Sequence, residues 1–329
     1  MGAPLLFVSL REPMVVCTGS VAYDYILNFA GRFRDHILPD KTHILNLSFL
    51  VDDLHKRRGG VAGNYAYNLS LLRHPAAVLA TAGADAAEYR EWLQARGVDC
   101  SGLRLLEGEI TATGFTTTDL DDNQITGYYG GAMRRAAVLG LDDAPQGMEA
   151  VIIGPNDPAA MMRLCRESRE RAVRFVFDPA HQLPHLDAAD LAGAAEGAWI
   201  LIGNDYEIEL VKERMHCDED ELLKHAHMVA TTLGRHGSRI AGRGGMTEIP
   251  PAPARKEVDP TGAGDAYRAG LVAGLLRGLD VPTAGRVASL AATYAIEQVG
   301  TAEHSYTPEE FLVRYRESFG ADLPRKFFS

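Results

Sequence analysis

Short apolar runs alternate with longer helical patterns along most of this chain, and no other feature constrains its fold as strongly. Runs such as VIIG and WILIGN are continuously apolar, which is typical of parallel strands buried on both faces. Strands that alternate with helices predict a mostly parallel sheet covered by helices on both sides. The strands are predicted at residues 15–19, 77–81, 150–153, 175–177, 199–202 and 228–232. Helices are predicted at residues 64–72, 85–96, 158–171 and 218–224.

Composition limits the classes of function that the chain can serve. Of its 329 residues 46% are hydrophobic and 23% charged, as in globular proteins, and the net charge is −11. An acidic surface argues against nucleic acid as a partner, whereas a local nest of backbone N–H groups can still hold the phosphates of ATP. No apolar run reaches the roughly 18 residues of a membrane span, and no two cysteines form a CxxC pair. We therefore expect a cytoplasmic protein that does not act on a membrane.

Two segments break the alternation and predict a small accessory sheet. Residues 24–58 contain strand-like runs without a long helix, and residues 108–131 alternate Thr, Phe and Tyr around a turn signal at 121–123. We interpret both segments as a lid inserted into one domain that spans residues 14–329. Residues 1–13 precede the first clear strand and are interpreted as an N-terminal extension.

The strongest local motif is DPTGAGDA at residues 259–266, directly before a predicted helix. Gly262 and Gly264 allow a sharp turn and a close approach of the backbone to a ligand. Unpaired N–H groups at a helix N-terminus favour an anion, and donors fixed there stabilise a transferring phosphoryl group. Asp265 lies in the first helical turn, where a carboxylate can take the proton of an attacking hydroxyl. For a lone GxGD string, an ordinary helix-start carboxylate would be the alternative.

This motif resembles the C-terminal signature of the ribokinase-like, or pfkB, carbohydrate and nucleoside kinases. Four further strings match that family in its order: the first strand and its Asp at 19–24, the GGxxxN signature at 58–64, NxxE at 204–207, and TLGxxG at 232–237. Each string is weak alone, but the ordered set is specific. The resemblance implies a ribokinase-like three-layer α/β/α sandwich, with a mostly parallel central sheet and a small β-sheet lid.

The resemblance also implies a role for each matching residue. The base and the anion hole would be formed by Asp265, Gly262, Ala263 and Gly264. The substrate would be bound by Asp24, Gly59, Gly60 and Asn64. The nucleotide would be bound by Asn204, Thr232, Gly234 and Gly237. Glu207 would hold Mg²⁺ through water, although a solvated helix-start glutamate is the alternative. ATP and Mg²⁺ are the implied cofactors, and a monovalent cation such as K⁺ is left open.

The strand order supports this set independently of the resemblance. Asp24, Asp178, Asn204 and Thr232 each follow a predicted strand. Ligands bind open α/β sheets at the carboxyl ends of parallel strands, so these side chains are predicted at one edge.

The acceptor is less well defined than the chemistry. The lid is rich in aromatic residues, on which a purine could stack, although they could equally form the packing of the lid itself. These residues are Tyr23, Tyr25, Phe29, Phe33, Phe49, Phe115, Tyr128 and Tyr129. Ser20 replaces a polar amide that is frequent in sugar kinases. We therefore predict a kinase for the 5′-hydroxyl of a nucleoside, adenosine first, with a sugar kinase and a catalytically silent ligand-binding homologue as alternatives.

Three arginines near the predicted site could contact phosphate, because arginine pairs well with its oxygens. Arg134 and Arg135 follow the lid hairpin, and Arg268 lies one turn into the helix of the anion hole. We interpret all three as exposed surface arginines. The sequence leaves open whether the chain is a monomer or forms a homodimer through the lid.

Overall fold

The computed structural model describes residues 13–37, 48–121 and 123–328. The extension predicted at residues 1–13 therefore lies almost wholly outside the described residues, as do positions 38–47 of the lid segment and Asp122 of the turn signal. The strands are β1 Met14–Thr18, β2 Ala22–Asn28, β3 Asp53–Gly59, β4 Ala76–Gly83, β5 Leu103–Leu106, β6 Ala112–Thr118, β7 Gln124–Tyr129, β8 Met148–Ile153, β9 Arg174–Phe177, β10 Ile200–Asn204, β11 Met228–Thr232, β12 Ser238–Gly242 and β13 Gly245–Ile249. The helices are α1 Phe33–His36, α2 Val61–Leu71, α3 Ala87–Gln94, α4 Pro158–Glu170, α5 Ala188–Ala195, α6 Asp205–Met215, α7 Glu219–His225, α8 Ala263–Leu276, α9 Val281–Ile296 and α10 Pro308–Phe319.

The central sheet of the described chain contains nine strands in the order β13-β12-β11-β10-β9-β8-β1-β4-β5. The seven strands from β11 to β5 pair in parallel, and β12 and β13 form an antiparallel hairpin at one edge. All six predicted strands lie in this sheet, with ends that differ by a few residues. The predicted mostly parallel sheet is confirmed.

Helices cover both faces of this sheet, because neighbouring residues of each buried strand point to opposite sides. Val15 of β1 belongs to the same apolar cluster as Leu69 of α2 and Leu271 of α8. Val16, the next residue of β1, belongs to the other cluster with Leu164 of α4. The two clusters are the two cores of an α/β/α sandwich, so the predicted fold class is confirmed. No helix of the described residues is long and apolar enough to cross a lipid bilayer.

A separate four-stranded sheet is formed by the two segments that break the alternation. Its order in the described residues is β3-β2-β6-β7. The turn signal at 121–123 lies between the antiparallel strands β6 and β7, as a hairpin requires. Asp24 of β2 is in register with Gly114 of β6, and Gly114 with Tyr128 of β7, so these three positions share one face of the sheet.

Candidate active site

The glycine bend at the start of α8 has the conformation that an anion hole needs. Gly262 caps the helix with φ at +83°, in the left-handed region that favours glycine. A Cβ at this position would lie 2.8 Å from the Cα of Thr301, so a larger residue would collide with backbone. The N–H of Ala263 already donates to the carbonyl of Pro260 at 3.2 Å. Among the four predicted donors, the N–H groups of Gly264 and Asp265 are therefore better placed for a phosphoryl group than that of Ala263.

Asp265 is half-buried at this bend and accepts a hydrogen bond from Asn64, a residue of the GGxxxN signature. Nδ2 of Asn64 donates to Oδ2 of Asp265 at 2.7 Å, which joins the start of α2 to the start of α8. Burial raises the pKa of Asp265 to about 7, and the carboxylates of Asp178 and Glu207 reinforce the rise, while Arg268 and Asn64 oppose it. A carboxyl group with a pKa near neutrality is well matched to general base catalysis at physiological pH.

Arg268 does not lie on the surface, so the prediction of an exposed arginine is wrong at this position. Its side chain is buried with 6% exposure, and its Nη2 donates to Oδ1 of Asp178 at 2.7 Å. Asp178 directly follows β9 and is itself buried, and the hydroxyl of Tyr65 donates to its other oxygen. Residue 268 follows Asp265 by three positions on α8, which turns it toward α2 and the sheet rather than toward solvent. Arg134 and Arg135 are exposed, as predicted.

The predicted magnesium residues form the N-terminal cap of α6. The side chain of Asn204 accepts a hydrogen bond from the N–H of Glu207 at 2.8 Å, and the carboxylate of Glu207 accepts one from the N–H of Asn204 at 2.7 Å. Glu207 is therefore a helix-start glutamate, as in the alternative interpretation, but it is not a freely solvated one. Its Oε2 lies 3.8 Å from Nη2 of Arg268, and burial raises its pKa.

The carboxylate of Glu207 is the kind of oxygen ligand that Mg²⁺ uses when phosphates and waters supply its other ligands. Mg²⁺ prefers oxygen ligands and is commonly held by one or two carboxylates together with waters and substrate phosphates. In the described ranges, no group of three or more acidic, histidine or cysteine side chains could hold a metal ion by itself. Glu207 could therefore hold Mg²⁺ through water near a bound nucleotide, with no preformed cage of protein ligands.

A cavity of about 520 Å³ lies beside the glycine bend and has the size of a small-molecule site. Three of the predicted nucleotide residues line it, namely Thr232, Gly234 and Gly237, together with Ala263 and Gly264 of the bend. Asn204 is not among its lining residues. The rest of the wall was missed by sequence reasoning and is mostly apolar, comprising Pro251, Ala252, Pro253, Val258, Ala292 and Ile296 among others. The small residues between larger apolar ones in 282–298 were the available signal for the part of this wall that belongs to α9.

Three of the predicted substrate residues, Asp24, Gly59 and Gly60, lie close together before the start of α2. A Cβ at Gly59 would lie 2.2 Å from Oδ2 of Asp24, and one at Gly114 would lie 2.8 Å from its Oδ1. The carboxylate of Asp24 thus lies directly over two glycines of the neighbouring strands, and burial raises its pKa. Gly60 caps α2 with φ at +85°, where a Cβ would collide with the backbone of Ser20.

Asn64 is oriented for a second interaction in this region. Its side chain is buried with 2% exposure, and its Oδ1 has no hydrogen-bond partner among the described residues. A buried acceptor without a partner is costly, and a hydroxyl group of a ligand would satisfy it. Asp24, Asn64 and Asp265 thus offer acceptors for hydroxyl groups on one side of the bend.

The aromatic residues of the lid do not form one stacking surface. Strand alternation places Tyr128 on the face of Asp24, whereas Tyr25 and Phe115 lie on the opposite face and stack at a centroid distance of 5.3 Å. Phe29 and Phe33 stack on each other in the lid, at 5.8 Å between centroids. Of these rings, Tyr128 shares the face of Asp24 and is the one placed to stack on a purine.

Comparison with known proteins matches nearly the whole chain. The model of the pfkB family carbohydrate kinases matches residues 13–308. A nucleoside kinase of Methanothermobacter thermautotrophicus is 32% identical over 314 residues, covering 94% of this chain and 98% of that protein.

Solved structures extend the similarity to three dimensions. The nucleoside kinase of Burkholderia thailandensis in complex with inosine is 38% identical, with a TM-score of 0.84 over 94% of this chain and 99% of that one. The same kinase is also known in complex with ADP-inosine, at a TM-score of 0.82, 39% identity and coverage of 94% and 97%. The ribokinase of Arabidopsis thaliana, complexed with ribose and ATP, is 18% identical with a TM-score of 0.75 over 93% of this chain and 99% of that one, which is a likeness of fold alone.

Proposed function

We propose that this chain, which belongs to the pfkB family of carbohydrate kinases, transfers the γ-phosphoryl group of ATP to the 5′-hydroxyl of a nucleoside. Membership of that family makes it a phosphotransferase that acts on a hydroxyl group. The family and fold expected from the five motifs are thereby confirmed. The observation that carries the proposal is the half-buried Asp265, which lies at the glycine bend and accepts a hydrogen bond from Asn64.

The proposed reaction is an in-line displacement in which the nucleoside and ATP approach the glycine bend from its two sides. A bond forms between the 5′-oxygen and the γ-phosphorus, the bond from that phosphorus to the β,γ-bridging oxygen breaks, and ADP leaves. Asp265 accepts the proton of the hydroxyl, and a pKa raised to about 7 makes it a stronger base than an ordinary aspartate. The N–H groups at the start of α8 stabilise the charge on the equatorial oxygens of the phosphoryl group.

The cavity beside the glycine bend is the proposed nucleotide site. The adenosine part of ATP would occupy the cavity of about 520 Å³ that Thr232, Gly234 and Gly237 line, with its phosphates toward Gly264. Glu207 would hold Mg²⁺ through water, and the ion when bound supplies positive charge that neutralises phosphate oxygens. A requirement for a monovalent cation stays a prediction.

The nucleoside is supported by relatives and by the acceptors of the substrate side. The relative from Methanothermobacter thermautotrophicus and the solved structure from Burkholderia thailandensis, 32% and 38% identical over 94% of this chain, are nucleoside kinases, and the second is in complex with inosine. Asp24 would accept hydrogen bonds from the ribose hydroxyls, with Gly59 and Gly60 leaving room for the sugar. Adenosine and inosine are the acceptors to test first.

A free sugar is the second candidate, because the lid offers few rings for a base. Only Tyr128 among the predicted aromatic residues lies on the face of Asp24 in the small sheet. Consumption of ATP should be measured with adenosine, inosine, guanosine, cytidine, ribose and fructose, and thermal shifts recorded with the same panel. A ligand at 100 times its Kd stabilises by about 2.7 kcal/mol, which is readily detected. Turnover of the sugars alone would reject the nucleoside and favour the sugar kinase.

We also propose that the lid pairs two copies of the chain. The face of the small sheet opposite Asp24 carries four apolar side chains with exposed fractions between 43% and 59%, namely Leu54, Phe115, Ile125 and Tyr129. Exposed apolar patches of this kind are typical of protein interfaces. Light scattering coupled to size exclusion should give the mass of a dimer for the wild type and of a monomer for a variant with Leu54→Glu and Ile125→Glu. A monomeric wild type would contradict this proposal without affecting the kinase assignment.

A further inference from the structure

A buried arginine lies behind the phosphate site, and the proposed chemistry gives it no direct contact with the reacting atoms. Arg268 is held by Asp178, which in turn accepts a hydrogen bond from Tyr65. Isolated charges are costly to bury, and pairs are retained only where geometry and further hydrogen bonds compensate. Because burying the Arg268–Asp178 ion pair costs desolvation free energy, its presence beside the phosphate site requires a functional explanation.

Three carboxyl groups crowd the region that Arg268 occupies. Besides Asp178, these are Glu207, whose Oε2 lies 3.8 Å from Nη2 of Arg268, and Asp265, one helical turn before Arg268. Asp178 and Glu207 both raise the pKa of Asp265, whereas Arg268 lowers it. Among the largest contributions to the pKa of Asp265, Arg268 is the sole cation.

Two further titratable groups that interact with Asp265 are uncharged at neutral pH. They are the phenols of Tyr65 on α2 and Tyr89 on α3, whose pKa values are raised by burial. Asn64 contributes a neutral amide hydrogen bond from α2.

Gly264, the second glycine of the bend, leaves the space that the guanidinium of Arg268 occupies. A Cβ at Gly264 would lie 2.8 Å from Nη1 of Arg268, so the guanidinium fills the space directly beside that backbone. The guanidinium is therefore adjacent both to the N–H groups that receive the phosphoryl group and to the carboxylate that receives the proton.

We propose that Arg268 is a positioning residue for phosphoryl transfer, whose charge, fixed by Asp178 and Tyr65, keeps the carboxylate of Asp265 ionised beside two other carboxylates. This inference rests on the proposed role of Asp265 as the base. Without the guanidinium, three acidic groups would share the site with no cation, and Asp265 would retain its proton. A protonated Asp265 cannot accept the proton of the acceptor hydroxyl.

The test is a titration that needs no substrate. The ¹³C chemical shifts of labelled aspartate carboxyl groups should be followed from pH 4 to pH 10, with the signal of Asp265 identified by its absence in Asp265→Asn. In Arg268→Gln, the titration midpoint of Asp265 should rise by about one pH unit or more. In Arg268→Lys, which keeps a positive charge, the midpoint should rise by less.

A matched control is available in another buried arginine pair. Arg314 on α10 is buried with 4% exposure and donates to Glu297 at 2.7 Å and to the carbonyl of Pro253 in the cavity wall at 3.2 Å, but it is not among the groups that shift the pKa of Asp265. Arg314→Gln should lose stability in the same way as Arg268→Gln but leave the midpoint of Asp265 unchanged. The acid limb of kcat/KM should move with the midpoint in the Arg268 variants and stay in place in Arg314→Gln.

Three results would overturn the inference. One is an unchanged midpoint in folded Arg268→Gln, and another is an equal shift in Arg314→Gln. If Arg268→Gln does not fold, Arg268→Lys decides, because a midpoint one unit or more above the wild type in this charged variant contradicts the role of the charge. If the midpoint rises as expected but Asp265→Asn retains full turnover, the base assignment fails and with it the role of Arg268 in phosphoryl transfer, and only the effect of Arg268 on the ionisation of Asp265 remains.

Discussion

Nδ2 of Asn64 donates a hydrogen bond to Oδ2 of Asp265 at 2.7 Å, although the two residues lie 201 positions apart in the sequence. Asn64 belongs to the signature that opens α2, and Asp265 to the glycine bend that opens α8. Their contact brings the acceptor side and the phosphate side of the site within one hydrogen bond of each other.

The pH dependence of activity should report the ionisation of Asp265. Its pKa is raised to about 7, so the fraction in the base form falls as the pH decreases through this value. We expect kcat/KM, measured with ATP and nucleoside both below saturation, to be constant above pH 8 and to fall about tenfold per unit below pH 6. A profile that stays flat down to pH 5 would mean that Asp265 titrates as an ordinary aspartate or is not the base.

Asp24 should contribute to acceptor binding and little to ATP binding. Hydrogen bonds to a charged group are worth about 1.5–3 kcal/mol, so Asp24→Ala should raise the KM for the acceptor by about 10-fold to 100-fold. Asp53→Ala, at the exposed end of the neighbouring strand β3, is the control and should leave KM unchanged. An unaltered KM for every acceptor in Asp24→Ala would remove this residue from the pocket.

Gly59 should be required for acceptor binding because a larger residue would collide with Asp24, and not because of its backbone conformation. A Cβ at Gly59 would lie 2.2 Å from Oδ2 of Asp24, so Gly59→Ala must displace the carboxylate and should weaken acceptor binding by about tenfold or more. Gly127→Ala in β7 of the same sheet is the matched control, because a Cβ there meets no atom within 4 Å. Equal acceptor KM values in both variants would show that the carboxylate does not need its present position.

Asp265 should lower the stability of the unliganded protein at neutral and alkaline pH. Because burial raises its pKa above the unfolded value of 3.8, the unfavourable contribution is absent below that value, grows as the pH rises, and is complete above about 7. We expect Asp265→Asn to raise Tm by about 2 °C or more at pH 8 and by much less at pH 4.5. Differential scanning calorimetry at the two pH values measures this, and a Tm lowered to the same extent at both would contradict it.

The sequence predicts the parts of this molecule that depend on local pattern. Gly262 has the positive φ angle that a sharp turn at its motif implies, and Thr232 lies at the carboxyl end of β11, as the apolar run before it predicts. The parallel sheet places Asp178, Asn204 and Thr232 at the carboxyl ends of neighbouring strands, as predicted. Such features are set by backbone conformation and by hydrophobic period, which a single sequence displays. Asp24 was predicted at the same edge but lies within β2 of the small sheet.

Features that depend on packing between residues far apart in the sequence could not be predicted from local sequence pattern. Arg268 was predicted at the surface because arginine is usually exposed, and its burial follows from Asp178, which lies 90 positions away. The split of Tyr25 and Tyr128 between two faces depends on strand register, since a shift of one residue exchanges the faces. Neither relationship leaves a periodic signal in the sequence.

The most direct test of the central claim is the single-turnover rate of Asp265→Asn with adenosine or inosine and ATP. The substitution keeps the shape of the side chain and removes its ability to accept a proton. We predict normal binding of ATP and a rate of phosphoryl transfer lowered by at least ~10² relative to the wild type, which forms the 5′-phosphate. A rate within a few-fold of the wild type would contradict the assignment of Asp265 as the base.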